Sequence, residues 1–157
     1  MELKLRLHVA PISVNSMYYG EKRHGKRPEA ITWSEEVLYS LRKYEDKIKE
    51  FTALFDSKLH VITAHMISYA PIDYYYTKSG EMSGRMVDIT NFEKPLIDLL
   101  MLPKFYGTNF PKQSINLNID DRYLRKLTSE KLPSDAWYID VVFRIEKKPT
   151  FVSSKDI

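Results

Sequence analysis

A chain of 157 residues is most simply one domain, long enough to bury roughly 70% of its unfolded surface around a single core without disulfides. Hydrophobic residues at 43% and aromatics at 13%, with Tyr 11, exclude a disordered tail and describe a packed globule rich in polar-tipped rings. Cys 0 excludes disulfides, thiolate zinc sites and cysteine nucleophiles, and Lys+Arg 24 against Asp+Glu 21 gives only +3, so any nucleic-acid surface has to come from clustering.

Leu3, Leu5, Leu7 and Val9 alternate with Glu2, Lys4, Arg6 and His8, the period of a strand with one buried face, ending at Pro11. That alternation is too strict for a signal peptide, and no apolar run approaches the ~20 residues that span a bilayer, so the expectation is a soluble cytoplasmic protein with no membrane partner. From Ser13 to Arg27 turn formers, aromatics and bases alternate, which predicts an exposed basic loop reaching to about residue 30. On residue types alone, that loop is as well read as a solvated surface as a phosphate-gripping arm.

Thr32 and Glu35 form an S/T-x-x-E capping box, and Trp33, Val37, Leu41, Tyr44, Ile48 and Phe51 recur at helical spacing, predicting a helix over about 33–51. Between Leu59 and Tyr69 the run Val61-Ile62-Thr63-Ala64-His65-Met66-Ile67 predicts an interior strand covered on both faces. His60 and His65 face opposite sides of it without a third ligand and read as core-edge histidines. Pro71 to Val87 is polar and Tyr-rich and reads as a loop, and a second helix follows over roughly 91–102. Pro103, Gly107, Asn109 and Pro111 punctuate an irregular insertion over about 103–118. The strand Ala136 to Glu146, with Ile139, Val141, Phe143 and Ile145 on one side, precedes a short tail over 148–157. The fold class is α/β (α+β): one small domain over 1–157, a mixed sheet packed by two main helices.

Chemistry concentrates in Asp88-Ile89-Thr90-Asn91-Phe92-Glu93-Lys94-Pro95-Leu96-Ile97-Asp98, answered about two dozen residues later by Asp120-Asp121. At about 100° per residue Asn91, Lys94 and Asp98 share a sector of roughly 60°, while Phe92, Leu96, Leu99 and Leu100 form an apolar stripe. Carboxylate oxygens bind Mg²⁺ and a fixed ammonium offsets charge on a phosphate, so the set reads as metal-dependent phosphodiester chemistry. The competing reading is a capped surface helix, with Thr90 as N-cap, Glu93 closing a capping box, Lys94 and Asp98 an i,i+4 pair, and Asp120-Asp121 an ordinary turn. With Thr90 as N-cap, Pro95 falls just past the first turn, which predicts a distorted helix start.

In order and spacing these motifs resemble the RusA-type Holliday junction resolvases. That family carries a Pro, Ser, Asn, Tyr pattern after its first strand, matched here by Pro11, Ser13, Asn15 and Tyr18. Its D-x-D-N, with Lys three residues on and Asp four further, is matched by Asp88, Thr90, Asn91, Lys94 and Asp98, and its Asp-Asp pair by Asp120 and Asp121. The resemblance implies a homodimer that binds four-way DNA junctions and cuts two strands symmetrically in recombination and repair. Its cofactor would be Mg²⁺, with Mn²⁺ as substitute, and no small molecule. It implies that Asp88 and Asp121 are metal ligands and form the catalytic set with Lys94, which positions or neutralises the scissile phosphate. Thr90, Asn91, Asp98 and Asp120 become supporting residues, and Asn15, Tyr18, Lys22, Arg23, Lys26, Arg27 and Arg85 face DNA. The chain departs from the pattern at Thr90, where a neutral hydroxyl replaces the second Asp and leaves a cation less compensated, and in the long insertion. Thr90 keeps open an alternative, a branched-DNA-binding protein with weakened or absent catalysis. A third reading, a protein-interaction domain, rests on the mild charge and on Tyr74, Tyr75 and Tyr76.

Overall fold

A computed structural model describes residues 1–12, 28–102 and 115–156, apart from the Thr90 side chain. Four strands form one mixed sheet: β1 (Glu2–Leu7), β2 (His60–Ala70), β3 (Leu124–Pro133) and β4 (Tyr138–Lys147), in the order β1-β4-β2-β3. β4 runs antiparallel to both β1 and β2, while β2 and β3 are parallel. Helices α1 (Pro28–Leu41) and α2 (Glu45–Leu54) connect β1 to β2, and α3 (Ile72–Tyr75) and α4 (Ile89–Met101) lie between β2 and β3.

Alternation decides which sheet face is covered. Leu3, Leu5 and Leu7 of β1, Ile62, Ala64 and Met66 of β2, and Ile139, Val141 and Phe143 of β4 all point one way and are buried. They share a core with Trp33, Val37 and Leu41 of α1, Ile48 and Phe51 of α2, and Phe92, Leu96 and Leu100 of α4. Burial of these apolar faces, at about 25 cal/mol per Å², is what holds the helices on the sheet.

The opposite face is open, which corrects the expectation of a strand two covered on both sides. Val61, His65, Ile67 and Tyr69 of β2 are only half-buried there, Thr63 alone being buried. Register sets charges beside one another across it. Arg144 Nε donates to Glu2 Oε1 at 2.6 Å, Arg6 makes two 2.8 Å bonds to the Asp140 carboxylate, and Arg125 reaches Glu146 at 3.0 Å. Arg144 holds the Glu2 carboxyl below its usual range, and Asp140 drives the Arg6 guanidinium upward. Tyr69 and Tyr138, cross-strand partners, stack at 4.3 Å with the Arg6 guanidinium 4.4 Å from the Tyr138 ring centre.

Several boundaries differ from the sequence reading. Strand one is Glu2–Leu7, strand two His60–Ala70 and the last strand Tyr138–Lys147. The first helix starts at Pro28, so Thr32 lies inside it and caps nothing; proline at a first helical position gives up no hydrogen bond. A 3-10 turn at Arg42–Tyr44 then breaks the predicted single helix into α1 and α2. Tyr44, at the break, reaches the outer edge of β1, where its hydroxyl accepts from Arg6 N at 3.0 Å. The predicted loop over 71–87 holds α3 and a Tyr76–Met82 bridge, and the segment after Asp121 is the unanticipated strand β3. Past β4 the tail to residue 156 carries a short 3-10 turn, Ser154–Asp156. Phe143, fully buried at the centre of β4, is the strictest test of this core. Phe143→Ala is expected to lower the unfolding free energy by about 3–5 kcal/mol, read as a lower urea midpoint at unchanged m-value.

Candidate functional site

The acidic motif sits on α4, the segment that carries the chain from β2 back to β3. Asp88, not Thr90, is the N-cap residue: its backbone is extended (φ −65°, ψ 145°), and its exposed carboxylate makes no capping hydrogen bond. The first turn is closed instead by Asn91 N donating to Asp88 O at 3.0 Å. Pro95 is therefore the seventh helical residue, deeper than the sequence suggests, and its missing N–H leaves the Asn91 carbonyl without its i+4 donor. The result is a helix whose N-cap carboxylate, that of Asp88, makes no capping hydrogen bond.

Along α4, Lys94 Nζ donates to Asp98 Oδ2 at 3.1 Å. The pair is lopsided: the Lys94 side chain is 68% exposed and that of Asp98 only 10%. Asn91 and Glu93 are half-buried beside them, and the Thr90 side chain lies outside the described set. Arg85 is exposed and lines a shallow groove with Ile72, Tyr76 and Lys78 ahead of α4. This lead-in segment is well tied down. Tyr75 OH donates to Ser68 O at 2.6 Å, Val87 N donates to Tyr74 OH at 2.8 Å, and Trp137 packs edge-on to Tyr74 at 4.6 Å. Burial pushes the Tyr75 hydroxyl up in pKa. Of the three tyrosines proposed as an interaction surface, only Tyr76 is exposed, since Tyr75 is buried and Tyr74 half-buried.

The other acidic pair follows the opposite end of α4. After the insertion, of which 103–114 lie outside the described residues, the chain returns along the last turn of the helix. Leu117 N donates to Leu100 O at 3.0 Å, Ile119 N to Met101 O at 3.2 Å, and Asn116 Nδ2 to Leu99 O at 3.1 Å. Three terminal carbonyls that a helix leaves orphaned are thereby satisfied. Asn116, itself buried, also accepts from Asn118 N at 2.9 Å, which supports the left-handed backbone of Asn118 (φ 53°). Asp120 then caps a 3-10 turn, accepting from Arg122 N at 2.9 Å and from Arg122 Nε at 3.1 Å. The Arg122 backbone N–H first, and its guanidinium next, hold the Asp120 carboxyl below its usual range. Asp121 opens that turn, half-buried.

The two halves of the motif do not meet within one chain. A helix of 13 residues is roughly 20 Å long, and Asp88 precedes its first residue while Asp121 lies just beyond its last. Two carboxylates on one Mg²⁺ sit within about 4 Å of each other. Lys131 marks the same separation. It lies seven positions beyond Leu124, where β3 begins after the Asp121 turn, roughly 23 Å along the strand. Burial pushes the Lys131 ammonium down in pKa, with Asp88 opposing. No sequence signal pointed to this lysine, because the strand carrying it was unassigned. Among the described residues no three acidic or His side chains gather as a metal-holding group. The donors are hard oxygens of the kind Mg²⁺ takes, but one chain does not bring them together. Asn15, Tyr18, Lys22, Arg23, Lys26 and Arg27 all lie outside the described residues.

No family model matches this chain, and a search of curated proteins finds no match either. No helix among the described residues is long and apolar enough to cross a membrane.

Two measurements probe the frame around Asp120 and Asp121. Asn116→Leu removes the buried side chain that accepts from the Asn118 N–H and donates to the Leu99 carbonyl, and is expected to cost about 1–3 kcal/mol in chemical denaturation. Asp120 has its pKa lowered on folding, so its stabilisation is present above its ordinary value of 3.8 and is lost as pH falls through the lowered one. Asp120→Ala is therefore less stable than wild type at neutral pH, and the two melting curves converge at acid pH.

Proposed function

We propose that the chain is a Mg²⁺-dependent endodeoxyribonuclease of RusA type, acting in the cytoplasm on branched DNA as a homodimer, with each metal site shared between two copies. The observation that carries this reading is the exposed, uncapped Asp88 at the head of a helix whose polar flank continues through Asn91, Lys94 and Asp98. That carboxylate is not used on the helix backbone, so it is available to a ligand. Sharing between copies is supported by the placement of Asp88 and Asp121 at opposite ends of a helix roughly 20 Å long.

In this reading Asp88 of one copy and Asp121 of the other hold the cation, which when bound supplies charge neutralisation and an activated water. Lys94 is the mobile cation of the site. Its exposed ammonium exchanges the Asp98 oxygen for a phosphate oxygen, while the largely buried Asp98 keeps the stem aligned when DNA is absent. Asp120, pinned by Arg122, fixes the turn that presents Asp121. Arg85, ahead of Asp88, lies where the DNA backbone would approach.

Thr90 favours a second reading, a junction-binding protein with little or no cutting, because the site has one charge fewer than the pattern it resembles. A labelled four-way junction with added Mg²⁺ separates the two. Paired incisions near the branch point are expected, binding without incision supports the second reading, and no binding at moderate salt contradicts both. Asp88→Asn and Asp121→Asn are each expected to reduce cutting at least about 100-fold, the upper end of what loss of a ligand's supporting group costs. Mixing the two inactive variants is expected to restore nicking, because a mixed dimer then holds one intact shared site. If both carboxylates served the same chain, the mixture would stay inactive.

A further inference from the structure

We infer that two copies of this chain join edge to edge along β3, antiparallel about a two-fold axis at Thr128, to make one continuous eight-stranded sheet. The inference deepens the homodimer of the preceding reading and rests on that part of it, not on catalysis.

The two edges of the sheet differ. β1 has six residues; its inward face is fully buried, and the Tyr44 hydroxyl sits on the backbone of Arg6 at its outer side. β3 has ten residues, and among the described residues its outer row of backbone N–H and C=O groups faces no strand. Its covered face is unfinished as well, since Leu124, Leu127 and Lys131 are only half-buried and Leu132 on the other face is 37% exposed. An open edge of that length is a template for pairing with another chain.

Charge selects the occupant and the register. Lys126, Thr128 and Glu130 share the open face, through pairing with Thr63, His65 and Ile67 of β2. Among the described residues Lys126 meets no acidic partner, and the Glu130 carboxylate is within hydrogen-bond distance of His65, Nε2 to Oε1 at 3.0 Å. In an antiparallel pair centred on Thr128, Lys126 of each copy stands directly opposite Glu130 of the other, so the match is made twice. Centring on Lys126 sets like charges against each other, and centring on Leu127 or Ser129 pairs neither. A strand with this pattern is complementary to itself, which makes a second copy the fitting partner. The same axis lays the start of one β3, just after Asp121, beside the finish of the other.

Sedimentation equilibrium of the full chain without DNA or metal tests this. Wild type is expected to dimerise, Lys126→Glu and Glu130→Lys each to raise the dissociation constant roughly tenfold or more, and the double swap to return it to within about threefold of wild type. Both side chains are exposed, so the variants keep the fold, and restoration by the swap is an outcome that general destabilisation cannot give. A monomeric wild type, a dimer indifferent to Lys126→Glu, or a double variant as weak as the single ones overturns the interface. Indifference with junction cutting intact would locate the dimer contact elsewhere and leave the nuclease reading standing.

Discussion

Parallel neighbours in a sheet cannot be joined by a hairpin, so the chain that leaves the end of β2 has to travel the length of the sheet before β3 begins. α4 makes that journey, and nearly everything else about the candidate site follows from it. Residues before the helix are fixed at the finishing end of β2, and residues after it at the starting end of β3. Asp88 belongs to the first group, and Asp120 with Asp121 to the second. The apolar stripe through Phe92, Leu96 and Leu100 is buried in the core that also holds Ile62, Ala64 and Met66, which fixes α4 on the covered face of the sheet. In the proposed dimer a two-fold axis would convert that fixed separation into proximity, one copy's start lying beside the other's finish.

Core and ion-pair lattice take opposite faces of the same strands. The helix-covered face carries Leu, Ile, Val and Phe, and the open face carries Glu2 with Arg144, Arg6 with Asp140, and Arg125 with Glu146. Exposed pairs of this kind contribute about 0–1 kcal/mol each, so stability comes from the covered face. On the open face the charges determine which strands lie comfortably side by side. With cations matched along β1 and β4, Lys126 at the edge of that face meets no acid among the described residues.

Much of the frame could be read from residue pattern alone, because period-2 alternation is unambiguous where one face is apolar: Leu3-Leu5-Leu7 and Ile139-Val141-Phe143 were legible for that reason. β3 was not, since Leu124-Arg125-Lys126-Leu127-Thr128-Ser129-Glu130-Lys131 is an edge strand with no fully buried side chain and hence no apolar rhythm. The start of α1 was misplaced because a capping box at Thr32 and Glu35 outweighed Pro28, a residue that begins helices as readily as it breaks them. At the site, the polar flank of α4 was legible from helical spacing. What spacing does not encode is which end of a helix each carboxylate occupies in space; that required β3 to be recognised as parallel to β2. Asn116, which ties the Asp120 turn to the end of α4, looks in sequence like any other loop residue.

In the proposed dimer, one copy would hold half of each metal site. Mn²⁺ binding followed by electron paramagnetic resonance, across protein concentrations that span the monomer–dimer transition and without DNA, tests it most directly. Tight binding that appears only as dimers form, tracking their fraction, is the predicted result. Mn²⁺ held with the same affinity by dilute monomers would contradict it.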